Sequence, residues 1–304
     1  MTTPESDGGA ESVRHRLRNV LRARGEDVSM GLQRYAAERF LYRLGNSAHR
    51  ERFVLKGAAL FAIWGTTYRP TRDLDFTVYG DANVDAVLRA LREICQTPDD
   101  VDALKFEAET ITTAPIRDGS EYAGIRAHLI ALVGASRISV QLDLGFGNAI
   151  VPGPEEVVYR SLLGDPPPRI LAYPQEAVVA EKLHAMVTLG EQNSRYKDFY
   201  DMHAMATAFS FERSTLEAAV QATFARRTTP IAAPLPVALG AAFYASDARA
   251  TQWRTYVTRT GLVSAPTDFN AIGAVIVSFA GPVWESLSAG VESRGDWSPG
   301  GPWR

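Results

Sequence analysis

Cysteine is almost absent from this chain, with Cys95 the one thiol in 304 residues. That excludes an intramolecular disulfide and any multi-thiolate zinc cage. Cys95 falls near Val87, Leu91 and Ile94 at helical spacing, where a buried, inert thiol is the simpler reading than a nucleophile. Long apolar runs are missing too. No stretch reaches the ~20 residues that span a bilayer, and the polar, acidic start from Met1 to Glu11 has no apolar h-region of a signal peptide. A cytoplasmic location with no membrane partner is the expectation. Charge of one sign is also lacking, since 32 Lys and Arg face 35 Asp and Glu for a net charge of −3. A near-neutral total does not exclude nucleic acid, because binding depends on local clusters. One cluster is Arg14, His15, Arg16, Arg18, Arg22 and Arg24, which reads either as a solvated helix face or as an RNA contact. His128, His184 and His203 have no partner at metal-ligand spacing and read as packed or surface histidines.

What is present is ordinary globular composition, 46% hydrophobic and 22% charged. The length suits two lobes of roughly 150 residues each. Residues 1–9 are expected to be disordered. Apolar residues at helical spacing predict helices over 10–24 and 29–45, and a turn leads into a short helix from Gly57 to Trp64. A strand is expected from Leu74 to Tyr79, a helix from Val84 to Ile94, then strands at Leu104–Thr113, Gly124–Val133 and Arg137–Leu144. The Pro/Gly-rich stretch from Val151 to Pro168 is the candidate boundary between a lobe of residues 1–150 and one of 151–304. Beyond it, Pro174 opens a helix to Leu189, a placement that proline tolerates. Further helices are expected at Lys197–Ala208, Ser214–Arg226, Asp247–Arg259 and Asp268–Ser288, the last kinked or broken at Pro282. The tail from Trp297 to Arg304 has little apolar content and is expected to be mobile. The fold class is thus α+β, a mixed sheet with helices followed by a mainly helical lobe.

The most informative stretch is Arg69-Pro70-Thr71-Arg72-Asp73-Leu74-Asp75-Phe76. On a strand, Asp73 and Asp75 point to one face while Leu74 and Phe76 point to the other. Two carboxylates that close repel each other unless a cation intervenes, and all-oxygen ligation suits magnesium or manganese. An isolated Asp-x-Asp can equally be two solvated side chains at a strand end, but its surroundings say more. Lys56-Gly57-Ala58 opens the short helix, and a glycine there lets phosphate approach backbone N–H groups. Arg69, Thr71 and Arg72 place donors beside the carboxylates. Gln141-Leu142-Asp143-Leu144 is an alternating strand able to bring in a third carboxylate, Asp143. Three carboxylates on adjacent strands suit two-ion chemistry at phosphorus. Trp64 and Tyr68 flank the motif and read either as core or as a base-stacking surface.

This pattern resembles the nucleotidyltransferase superfamily, specifically its AbiEii/MenT toxin branch, over about Phe53 to Met205. The family's glycine turn, helix and Arg-x-Ser/Thr-x-Asp-x-Asp motif is matched by Gly57, Arg69, Thr71, Asp73 and Asp75. Glu181-Lys182-Leu183-His184-Ala185 resembles its Lys-x-x-Ala helix, and Arg195-Tyr196-Lys197-Asp198-Phe199-Tyr200-Asp201 its Arg-x-Lys-Asp-x-x-Asp helix. Two departures stand out. Ala58 replaces a second glycine or a serine, and Leu189 stands where relatives often carry an arginine, a role open to Arg195.

The resemblance implies a nucleotidyltransferase-like first lobe and a toxin that moves NMP from an NTP to RNA, with a tRNA 3′ end as the expected acceptor. A cognate antitoxin would restrain it. Asp73, Asp75 and Asp143 would hold magnesium or manganese, Asp143 alternatively serving as base. Lys56, Gly57, Ala58, Arg69, Thr71, Arg72, Lys182 and Asp201 would line the nucleotide site, and Lys182 and Asp198 would join the catalytic set. On spacing alone, Lys182, Asp198 and Asp201 also fit a plain ion-paired helix hairpin. The competing functions are nucleotide transfer to a protein side chain, a sugar-nucleotide glycosyltransferase using Asp-x-Asp, and a catalytically silent protein that binds RNA or antitoxin. The glycosyltransferase reading is weakened because no βαβ lobe precedes the motif.

Overall fold

The computed structural model of the chain describes residues 5–65, 71, 73–99, 102–116, 124–262 and 264–304. Two compact units emerge. The first comprises residues up to 65 together with 71–147 and 155–172; the second comprises 148–154 and 173–304.

The first unit starts with two helices, α1 (Glu5–Ala23) and α2 (Val28–Gly45). The chain is already helical at Glu5, earlier than the disordered start expected over residues 1–9. Asp27 accepts a hydrogen bond from the Met30 N–H (2.9 Å) and so satisfies an amide at the start of α2. Strand β1 (Phe53–Lys56), the short helix α3 (Ala59–Trp64), β2 (Asp73–Val78) and α4 (Val84–Gln96) follow. Asn83 caps α4, and Val87, Leu91, Ile94 and Cys95 form its buried face as their spacing predicts. Next come β3 (Leu104–Phe106), β4 (Thr112–Pro115), β5 (Gly124–Val133), β6 (Ser136–Phe146), β7 (Glu155–Val158) and β8 (Arg169–Ala172).

Among the described residues these strands form one mixed sheet in the order β3-β5-β6-β2-β1-β8-β7, with β4 also paired to β5. β2 runs parallel to β6 and β1 parallel to β8, while β1 and β2 are antiparallel. Phe76 on β2 packs edge-on against Phe40 of α2 and Phe53 of β1, so the apolar face of β2 is the one α2 covers. Asp73 and Asp75 therefore lie on the opposite face.

The single strand expected over Leu104–Thr113 is instead two strands separated by a 3₁₀ turn at Ala108–Thr110. There the Thr110 N–H and hydroxyl both donate to the Glu107 carbonyl, at 2.9 and 2.8 Å, and local bonds replace the ladder. The Pro/Gly-rich stretch read as a boundary contains β7.

A charge network lies sealed inside this unit. The Asp102 carboxylate accepts from Arg39 Nε (3.1 Å), Arg43 Nη1 (2.6 Å), Arg43 Nη2 (3.1 Å) and the Leu104 N–H (2.9 Å). Arg39 Nη2 also donates to Asp99 (2.6 Å), and Glu38 accepts from the Leu162 N–H (2.8 Å). The network ties α2 to the segment before β3 and to the connection between β7 and β8.

The second unit is mainly helical: α5 (Gln175–Leu189), α6 (Tyr196–Ala208), α7 (Arg213–Arg226), α8 (Ala241–Tyr244), α9 (Asp247–Thr260) and α10 (Phe269–Ala289). Tyr196, Phe199, Phe243, Trp253 and Phe269 form its aromatic centre. By length and composition alone α10 is apolar enough to cross a membrane, and half of that stretch is buried within the unit. It continues through Pro282 without a break. The proline removes one backbone donor, and packing by Phe279, Val283 and Trp284 holds the helix together across it.

The C-terminal tail is ordered rather than mobile. β9 (Phe211–Glu212) pairs with β10 (Asp296–Trp297), Trp297 is 1% exposed, and its indole donates to the Ala206 carbonyl at 2.7 Å. Trp303 stacks on Phe279 with centroids 5.8 Å apart. Two large aromatics in eight residues supply the apolar area that overall tail composition conceals.

Candidate active site

The sheet register brings distant residues into one row. Across β1, β2, β6 and β5 it pairs Lys56 with Asp75, Asp75 with Asp143, and Asp143 with Arg126. A second row pairs Asp73 with Gln141 and Gln141 with His128. Asp73, Asp75, Lys56 and Asp143 are all half-buried. Asp73 and Asp75 therefore share one face of β2, as alternation predicts, with Asp143 alongside on a parallel strand.

Gly57 follows directly from Lys56. Its φ is +73°, and a Cβ built there would lie 2.3 Å from Asp75 Oδ2 and 2.9 Å from Asp75 Cγ. A glycine is thus required on two counts, by backbone conformation and by the carboxylate seated against it. Ala58 is buried at the entrance to α3, and no side chain caps that helix. Thr71 lies just before β2, and its hydroxyl donates to the Asp73 backbone carbonyl at 3.4 Å. Arg69, Arg72 and Tyr68 lie outside the described residues. Trp64 packs edge-on against Phe61.

Asp143 is held by a residue that the sequence reading passed over. Arg126 donates from Nε to Oδ1 (2.8 Å) and from Nη2 to Oδ2 (2.7 Å), a two-bond fork, and Gln141 Nε2 adds a bond to Oδ1 at 3.3 Å. The signal was available: alternation along Gly124–Val133 sets Arg126 and His128 on the polar face of an otherwise apolar strand. Among the described residues no three His, Cys, Asp or Glu side chains converge as a ready metal cage. The donor set does fit a hard divalent ion. Two carboxylates share a face, a third stands in register beside them, and the missing Cβ at Gly57 gives Asp75 its seat.

In the second unit, Lys182 Nζ donates to Asp201 Oδ2 at 2.6 Å and to Asp198 Oδ1 at 3.3 Å. Arg195 Nε stands 3.0 Å from Asp198 Oδ2. The Lys182 side chain is 10% exposed and Asp201 only 1%. Burial opposes the Asp198 carboxylate, yet Lys182, Arg195 and Lys197 together outweigh it and hold its pKa below the ordinary range. The sequence motifs on α5 and α6 therefore meet as a compact ionic cluster. His184 points elsewhere, bonding Thr229 Oγ1 at 2.8 Å and meeting Phe224 edge-on. Burial, then the Arg227 cation, lower its pKa to about 4.

A mixed sheet carrying Asp-x-Asp on an inner strand, with a glycine turn seated against it, is nucleotidyltransferase-like in character. The chain belongs to the AbiEii family: the model described as nucleotidyl transferase AbiEii toxin, type IV TA system, matches residues 39–274. Membership in a toxin–antitoxin family implies a nucleotide substrate and an antitoxin partner. Two solved structures from Helicobacter pylori are similar. One is a candidate nucleotidyltransferase, with 13% identity and a TM-score of 0.44 over 84% of this chain and 94% of that one. The other is JHP933, with 12% identity and a TM-score of 0.45 over 83% of this chain and 90% of that one. No match is found among curated proteins.

Proposed function

We propose that the chain transfers a nucleoside monophosphate from an NTP to a hydroxyl of RNA, with a tRNA 3′ end as the acceptor. The observation that carries the reading is the register that sets Asp73 and Asp75 on the face of β2 opposite the one α2 covers, with Asp143 alongside Asp75. In this reading Asp73 and Asp75 hold one or two magnesium or manganese ions, and Asp143 is a third carboxylate ligand. Bound there, such ions neutralise the triphosphate and stabilise the leaving oxygen. Gly57 lets the backbone between Lys56 and Ala58 come close to the phosphates, Lys56 adds positive charge, and Thr71 fixes the start of β2. The acceptor oxygen bonds to the α-phosphorus as the bond to the bridging oxygen breaks. Pyrophosphate leaves, and the hydroxyl proton passes to water.

Lys182, Asp198 and Asp201 are proposed to contribute as a cluster whose lysine answers phosphate charge, and Arg69 and Arg72 to serve the same end. A cytoplasmic location and restraint by a cognate antitoxin complete the reading.

The test is incubation with magnesium, total tRNA and each α-32P-labelled NTP in turn, with Asp75→Ala in parallel. Label entering RNA from the wild-type chain and absent with the variant supports the reading and identifies the donor. Label entering protein alone would replace RNA with a protein side chain as acceptor. No label from any NTP would leave a binding protein as the better description.

A further inference from the structure

Arg126 stands at the end of the Lys56–Asp75–Asp143 row and engages both oxygens of Asp143. This fork takes one lone pair on each oxygen, and Gln141 takes a second on Oδ1, so most of the carboxylate's acceptor sites are in use. The fork also places a positive charge against Asp143, the neighbour of Asp75 in the row. Asp75 is in register with Asp143, and Asp73 with Gln141, whose amide bonds Asp143.

The pair differs from a structural ion pair in one respect. The Arg126 side chain is 42% exposed and Asp143 18%, so the guanidinium can leave without abandoning a charge in a sealed interior. A triphosphate offers it an equivalent fork of oxygens.

We infer that Arg126 is a positioning residue that withholds Asp143 from the metal site in the nucleotide-free protein and gives it up when a triphosphate draws the guanidinium away. This rests on the metal-site reading above. In the resting state Arg126 answers the charge of Asp143, and Asp73 and Asp75 are the metal ligands of the site without it. The third ligand joins only when nucleotide is present. Metal binding and nucleotide binding are then coupled through one side chain.

The measurement is manganese binding to the nucleotide-free full chain by electron paramagnetic resonance, with thermal unfolding as a check on folding. Arg126→Met should tighten manganese binding roughly tenfold, by removing the cation and freeing Asp143. Arg126→Lys, which keeps the charge but not the fork, should fall between the two. Asp143→Asn should leave wild-type manganese affinity within about twofold, yet abolish the gain when combined with Arg126→Met.

Unchanged or weaker manganese binding in a folded Arg126→Met variant would overturn the inference. So would an Asp143→Asn single variant that loses as much affinity as Asp75→Asn. If Asp75→Asn itself leaves wild-type manganese binding untouched, the metal-site reading fails, and this inference with it.

Discussion

Two sets of alternating charges lie in the first unit, and they are built to opposite ends. The cluster on α2 is sealed: the Arg39 and Asp102 side chains are fully buried, and Asp102 accepts four hydrogen bonds. The row across β1, β2, β6 and β5 is half-buried, with Arg126 substantially exposed. A sealed network has no alternative partners, so its charges serve only to hold α2 against two connecting segments. An open row can exchange partners at small cost, which is what a site that receives a charged substrate requires. The comparison separates structural from chemical charge by solvent access rather than by residue type.

The sharpest way to break this comparison is to remove one member of each set. Asp102→Ala should cost about 3–5 kcal/mol of unfolding free energy by urea titration, because two buried guanidinium groups lose their shared partner. A loss under about 1 kcal/mol would mean that the network is not sealed. Asp75→Asn should do the reverse, lowering transfer about a thousandfold or more while changing stability by less than about 1 kcal/mol. A variant that unfolds instead would place Asp75 with the structural set.

The cluster of Lys182, Asp198 and Asp201 falls between these cases, and a double variant sorts it. Lys182→Met alone should cost about 3 kcal/mol by removing the cation against which the Asp198 and Asp201 carboxylates are buried. Adding Asp201→Asn should restore most of that loss. If nucleotide transfer returns with stability, the cluster is structural; transfer that stays lost assigns Lys182 to the chemistry.

Smaller effects follow from the two buried titratable groups. His184 resists protonation in the folded state, with a pKa of about 4 against an ordinary 6.5. Above pH 6.5 it adds no pH dependence. As pH falls from 7 to 5, the unfolded chain takes up a proton that the folded chain refuses, and stability should drop by about 2 kcal/mol. Urea titrations at pH 7 and pH 5 should show this slope, and His184→Gln should lack it. Cys95, pushed up to about 12 by burial, should react with a thiol reagent at pH 8 only as fast as the protein unfolds.

Much of this was legible in the sequence, for identifiable reasons. Gly124–Val133 and the α5 helix behind Pro174 were placed by periodicity and a proline at the helix start. Asp73 and Asp75 were placed on one face by alternation alone. Asp143 was named, but its register against Asp75 is a long-range fact that no local pattern encodes. Arg126 was missed because its role depends on that same register. The tail differs from the expectation of mobility because Trp297 and Trp303 pack against Phe279, and Trp297 also against Ala206, all distant in sequence. The Leu104–Thr113 strand was misread because the Glu107 carbonyl finds a closer donor than the ladder offers. The second demand on Gly57, that a Cβ there would meet the Asp75 carboxylate, also depends on long-range register.

The parallel pairing of β1 with β8 has a consequence for how the molecule comes into being. β1 is made early, yet one of its two neighbours ends at Ala172, so the sheet cannot be completed until more than half of the chain has emerged. At ordinary synthesis rates of about 5–20 residues per second, the wait between β1 and β8 is about 6–23 seconds. A product released prematurely before β8 has a sheet with an unfinished edge beside the carboxylate strand. Interrupted translation of this toxin should therefore leave an unstable fragment for proteases to clear, not a partly active poison.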